Sequence, residues 1–135
     1  MALALLLAPM PSVSAAASSP AIGRTASGIE YQVLRKGKGK GAHPVATDSV
    51  QVNYRGMLAD GRTFDASRYD EPVTLRLDEV IPGWTEAVQL MTVGSKYRFV
   101  IPPALAYGAE GAGGVIPPDA TLTFDIELLA INPSE

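Results

Sequence analysis

The chain is predicted to fold as an α+β domain: a curled antiparallel β-sheet of about five strands wrapped around one short α-helix. Three observations carry that expectation. Several segments alternate apolar and polar residues with period 2, the pattern of strands with one buried face. A single stretch, Pro82 to Met91, has helical spacing. The strand–helix–strand rhythm that builds a parallel sheet is missing. One short helix cannot cover a wide sheet, so the sheet must curl around it and leave an opening at an edge.

The first charged residue is Arg24. Before it, Leu3 to Ala8 is a short apolar run, and Ser12 to Ala17 supplies small residues suited to a signal peptidase. Residues 1–17 are therefore expected to be a secretory signal peptide, although no Lys or Arg stands near Met1; a disordered Ala-rich leader is the alternative. The run is shorter than the about 20 residues that span a bilayer. Residues 18–28 are small, polar and proline-containing, and are expected to be a flexible lead-in to a domain over residues 29–132. This implies an exported protein, with the bacterial periplasm as the expected compartment and the cytoplasm as the alternative.

Within the domain, Ile29 to Leu34 is the first expected strand, and Arg35 to Gly41 is a basic, glycine-spaced turn whose cations are solvated. Val50, Val52 and Tyr54 alternate with polar residues and form the second strand. Asp60-Gly61 marks a hairpin turn leading to Thr63–Asp65. Val73, Leu75 and Leu77 alternate in a short strand. Pro82 suits a first helical turn, and Gly94 follows the helix end. Trp84, Ala87 or Val88, and Met91 then share one helical face. Tyr97, Phe99 and Ile101 give another strand, stopped by Pro102-Pro103. The last strand runs from Thr121 to about Ile131, with Leu122, Phe124, Ile126 and Leu128 on its apolar side. Between these two strands lies Gly108 to Gly114, four glycines in seven residues. Anchored by Tyr107 and by Val115-Ile116-Pro117-Pro118, it reads as a binding flap rather than a linker.

Composition narrows the chemistry. A net charge of −3 argues against a nucleic-acid partner. The chain has no cysteine and one histidine, His43. That excludes disulfides, cysteine-based zinc sites, cysteine nucleophiles and histidine triads built within the chain; no cofactor or metal is expected. Aromatic residues mark the conspicuous positions instead: Tyr54, Phe64, Trp84, Tyr107 and Phe124. Each is a core residue by default. That reading fits Phe124 in mid-strand best, and fits Trp84 at a helix start and Tyr107 at a loop anchor least. Asp65 admits three readings: a solvated charge, a turn cap, or a buried acceptor for tyrosine hydroxyls.

Several motifs occur in order. They are Val52-Asn53-Tyr54-Arg55-Gly56, Asp60 to Ser67 (DGRTFDAS), Glu79 to Trp84 (EVIPGW), Ala106-Tyr107-Gly108, Ile116-Pro117-Pro118 and Leu122 to Leu128 (LTFDIEL). Together they resemble the FKBP-type peptidyl-prolyl cis/trans isomerases, over about Gly28 to Asn132. The resemblance implies an FKBP-like half-barrel and isomerisation of X–Pro bonds. It places Trp84 at the floor of a proline pocket, Tyr54, Phe64 and Phe124 in its walls, and Val80 and Ile81 at its rim. It makes the Ile81 N–H and the Tyr107 hydroxyl donors to substrate carbonyls. It makes Asp65 an acceptor deep in the pocket, so that Tyr54, Asp65, Ile81 and Tyr107 form the catalytic set. Val115 and Ile116 would touch the substrate from the flap. The implied partners are proline-containing polypeptides and macrolide inhibitors of the tacrolimus or rapamycin type, taken by a monomer without a cofactor. A non-catalytic proline-peptide-binding module or holdase chaperone on the same scaffold is the alternative. The chain departs from the family pattern in having Val73 where a second phenylalanine often stands and Ala112 where a histidine often stands. The segment Arg68 to Leu77 is also shorter, leaving Arg68 as the candidate neighbour of Asp65.

Overall fold

The computed structural model describes residues 22–37, 41–68 and 71–133. The expected signal peptide, residues 1–17, lies outside them. In chain order the strands are β1 (Ile22–Arg24), β2 (Glu30–Arg35), β3 (Ser49–Met57), β4 (Thr63–Ala66), β5 (Val73–Arg76), β6 (Lys96–Ile101) and β7 (Leu122–Ile131). The one α-helix among the described residues, α1 (Pro82–Val88), lies between β5 and β6.

All neighbouring strands are antiparallel, in the order β1-β2-β6-β7-β3-β4. The two longest strands, β3 and β7, lie side by side in the middle. Period-2 alternation decides their orientation. Leu122, Ile126 and Leu128 are fully buried and Phe124 nearly so, while Thr123, Asp125 and Glu127 face outward. On the outer face cross-strand charges pair, Arg98 with Asp125 at 2.6 Å and Arg35 with Glu127 at 2.5 Å.

The sheet curls over α1, whose apolar stripe faces it. Gly83, Trp84, Ala87 and Val88 are buried on it. Pro82 occupies the first turn, where its missing N–H is no loss. The helix is shorter than the expected Pro82–Met91. It stops at Val88 and the chain turns through Gln89 and Leu90, yet Met91 is still fully buried. Gly94, at φ 90°, then redirects the chain into β6.

Two details differ from the sequence expectation. Among the described residues the sheet has seven strands instead of about five, and the one with no counterpart among the expected segments is β1, Ile22–Arg24, which belongs to the expected flexible lead-in and pairs with β2. In the β3–β7 pair, Val52 faces Leu128 but Val50 faces Ile131, so Leu129 is an extra residue. This bulge flips the apolar register at the end of β7 and brings Ile131, not Ala130, opposite buried Val50.

The outer edge of β3 is divided between two short strands. β5 pairs with Ser49–Val52 and β4 with Arg55–Met57. Tyr54 sits in the gap. Its backbone is held there by Ser67, whose hydroxyl meets the Tyr54 N–H at 2.9 Å and whose own N–H donates to the Tyr54 carbonyl at 2.9 Å.

Candidate functional site

That gap opens on a cavity of about 490 Å³ on the concave side of the sheet. Four strands contribute to it: Tyr54 from β3, Phe64 and Asp65 from β4, Leu75 from β5 and Phe124 from β7. Glu79, Val80 and Ile81, which lead into α1, join Trp84 of α1 and Tyr107 of the flap anchor to complete the lining.

Its core is a chain of four rings packed edge to face. Trp84 meets Tyr54 at 5.4 Å and 89°, and Phe124 at 5.5 Å and 88°. Phe124 in turn meets Phe64 at 5.6 Å and 82°. Each such contact contributes about 0.5–1.5 kcal/mol beyond area burial, because a positive ring edge faces a negative ring face. Trp84 and Phe124 are buried, while Tyr54 and Phe64 are half-buried. Gly56 makes the Phe64–Phe124 contact possible. A Cβ there would stand 2.6 Å from Phe64 Cζ and 2.8 Å from Phe124 Cε1.

Polar groups sit around this apolar centre. The Tyr54 hydroxyl donates to Asp65 Oδ2 at 2.8 Å, and the Ala66 N–H donates to Asp65 Oδ1 at 2.9 Å. Asp65 is thus an acceptor for a tyrosine, but an exposed one and not the deep acceptor expected. Burial, and then the hydrogen bond and charge of Asp65, push the Tyr54 phenol up to about 12. Among the described residues, neither the Ile81 N–H nor the Tyr107 hydroxyl has a protein partner, and Tyr107 is 40% exposed.

Eight of the ten expected site residues converge here: Tyr54, Phe64, Asp65, Val80, Ile81, Trp84, Tyr107 and Phe124. Val115 and Ile116 do not line the cavity. The flap is a hydrogen-bonded turn, closed by Ala112 N–H to the Ile116 carbonyl at 2.9 Å and Val115 N–H to the Ala112 carbonyl at 2.9 Å. Gly111, at φ 68°, lets the chain pass the Ile116 carbonyl, which would lie 2.2 Å from a Cβ. The turn sends Ile116 into the core and leaves Val115 about half exposed. Arg68 pairs with Glu71 at 3.6 Å and is not a lining residue. Leu75 and Glu79 were not anticipated. Leu75 was visible only as one of the apolar residues of its strand, and Glu79 only as the first residue of the EVIPGW motif.

A larger groove, of about 610 Å³, lies on the outer face among Asn53, Arg55, Arg68, Lys96, Asp125 and Glu127. Both of its carboxylates are held by arginines, and Tyr54 is the one aromatic residue in its lining, against the four packed rings together with Tyr107 in the smaller cavity. The aromatic cavity is therefore the candidate site.

An antiparallel sheet curled over one helix, with an aromatic cavity between them, defines the class of FKBP-like domains. Residues 40–129 match the FKBP-type peptidyl-prolyl cis-trans isomerase family, and the chain belongs to it. It is 53% identical over 121 residues to the FKBP-type peptidyl-prolyl cis-trans isomerase FkpA of Aeromonas hydrophila, covering 89% of this chain and 44% of that protein. Among solved structures, a peptidyl-prolyl cis-trans isomerase from Pseudomonas syringae pv. tomato superposes with a TM-score of 0.78 at 44% identity, over 89% of this chain and 87% of that one. FkpA from Escherichia coli gives the same TM-score, 0.78, and identity, 44%, over 93% of this chain and 58% of that one. The chain spans less than half the length of several curated relatives it matches.

Two outcomes are expected from this geometry. Gly56→Ala forces the Phe64 and Phe124 rings apart and costs about 1–3 kcal/mol. Urea unfolding followed by Trp84 fluorescence reads that loss, and an unchanged midpoint contradicts the tight contact. In an alkaline titration Tyr54→Phe is expected to lack a phenol that in wild type titrates near 12, above the 10.0 of an ordinary tyrosine. Because the folded value is raised, the stability held by the neutral phenol is complete below pH 10 and is lost as pH climbs through about 12. A Tyr54 midpoint near 10 in the folded protein contradicts the burial assigned here.

Proposed function

We propose that this chain is a peptidyl-prolyl cis/trans isomerase that seats the proline ring of an X–Pro bond on Trp84. The single observation that carries this is the four-ring cavity around Trp84, with donors at its rim that have no protein partner among the described residues. The family and the similar structures support the same reading.

Rotation about an X–Pro bond crosses a barrier of about 18–20 kcal/mol, because the amide loses resonance as it twists. No bond to substrate forms or breaks, so apolar surface and fixed donors suffice. Tyr54, Phe64, Trp84 and Phe124 exclude water from the amide, which disfavours its polar planar form. Val80 and Ile81 complete the rim. The Ile81 N–H and the Tyr107 hydroxyl are fixed donors that select the twisted carbonyl geometry. Asp65 holds the Tyr54 hydroxyl and so fixes that wall. Each 1.4 kcal/mol or so removed from the barrier gives about a tenfold acceleration.

The domain runs over residues 29–132, with β1 added to its sheet. The clients are proline-containing polypeptides, and macrolides of the tacrolimus or rapamycin type compete for the same cavity. The signal-like residues 1–17 support export to the periplasm. Among the described residues no helix is long and apolar enough to cross a membrane.

A protease-coupled assay on a proline tetrapeptide tests the function. Wild type is expected to accelerate cis-to-trans conversion, and a folded Trp84→Ala variant to lose at least about tenfold in kcat/KM, the equivalent of 1.4 kcal/mol of transition-state binding. Wild-type activity in that variant removes Trp84 from the floor. No acceleration by wild type, together with suppressed aggregation of an unfolded client, favours the holdase reading.

A further inference from the structure

We infer that the cavity selects for a cationic side chain beside the proline, with Glu79 as the residue that sets this preference. The inference rests on the isomerase reading of the cavity. The ten lining residues include two carboxylates, Asp65 and Glu79, and no lysine, arginine or histidine. The rest of the lining is apolar or phenolic, so both charges stand at the edge of an apolar cavity.

The two carboxylates are not equally available. Asp65 is engaged on both oxygens, by the Tyr54 hydroxyl at 2.8 Å and by the Ala66 N–H at 2.9 Å. Among the described residues Glu79 has only Arg76, at 3.5 Å. That arginine is already committed to Asp78 through two hydrogen bonds, Nε to Oδ1 at 3.0 Å and Nη2 to Oδ2 at 2.7 Å. The Glu79 side chain is 69% exposed. It sits two residues before Ile81, whose N–H is free to meet a substrate carbonyl among the described residues. A substrate chain held at Ile81 therefore passes close to the Glu79 carboxylate. Its side chain next to the proline meets a negative charge that no cation among the described residues neutralises strongly. A lysine or arginine there is attracted, and an aspartate or glutamate is repelled. Because Glu79 is exposed, the effect is modest and falls with added salt.

Two tetrapeptide series test this, Ala-Xaa-Pro-Phe and Ala-Ala-Pro-Xaa, each with Xaa as Lys, Leu or Glu. Binding is read from the fluorescence of Trp84, the single tryptophan of the chain. Isomerisation is read by NMR exchange, which needs no charge-sensitive protease. At low salt, in at least one series, the Lys peptide is expected to bind about two- to fivefold tighter than the Glu peptide, with Leu between them. That ratio is expected to approach one in Glu79→Gln, and to shrink in wild type as salt rises from about 20 mM to about 500 mM. A Lys-to-Glu ratio of one in both series overturns the inference, as does a ratio that survives in folded Glu79→Gln. If no peptide is isomerised faster, the isomerase reading falls, and the fluorescence titration still decides the charge preference.

Discussion

The packing of Trp84 against Tyr54 and Phe124 is the interaction on which the rest of the structure depends. A helix of seven residues has to close one face of a seven-stranded sheet. It does so with Trp84, Ala87 and Val88, and only Trp84 is large enough to reach both β3 and β7. The sheet curls to meet it. What the helix cannot fill becomes the cavity, bounded by the half-buried rings of Tyr54 and Phe64. The same residue is thus core packing on one side and cavity lining on the other. Fold stability and the shape of the site are set by one set of contacts.

Much of this was legible in the sequence because it follows simple periods. Leu122, Phe124, Ile126 and Leu128 alternate, and all four are buried. Trp84, Ala87, Val88 and Met91 recur at helical spacing, and all four are buried as well. The aromatic positions were legible for a different reason. They lie in motifs whose order resembles a known family, and the structure brings those rings together.

The misses have local physical causes. β1 is three residues long and contains Gly23, so no alternation announces it; pairing with β2 makes it a strand. The bulge at Leu129 breaks period 2 and hides Ile131 behind a shift of register. The flap posed the sharpest ambiguity. An apolar residue in a glycine-rich loop can face a ligand or the core, and spacing does not distinguish them. The hydrogen-bonded turn from Ala112 to Ile116 resolves it by turning Ile116 inward. Asp65 kept three readings open in the sequence. The structure shows an exposed carboxylate that accepts a tyrosine hydroxyl, which combines parts of two of them.

The two faces of the sheet divide the labour between solvation and recognition. Outside, arginines pair with Asp125 and Glu127 across strands and keep that face hydrated. Inside, the apolar rings stand beside donors that have no protein partner among the described residues. The measurement that tests this division most directly is an NMR contact map of the protein with a bound proline tetrapeptide. Nuclear Overhauser contacts are expected from the proline ring protons to Trp84, Tyr54 and Phe124. Contacts confined to the outer groove, around Asn53 and Glu127, would contradict it.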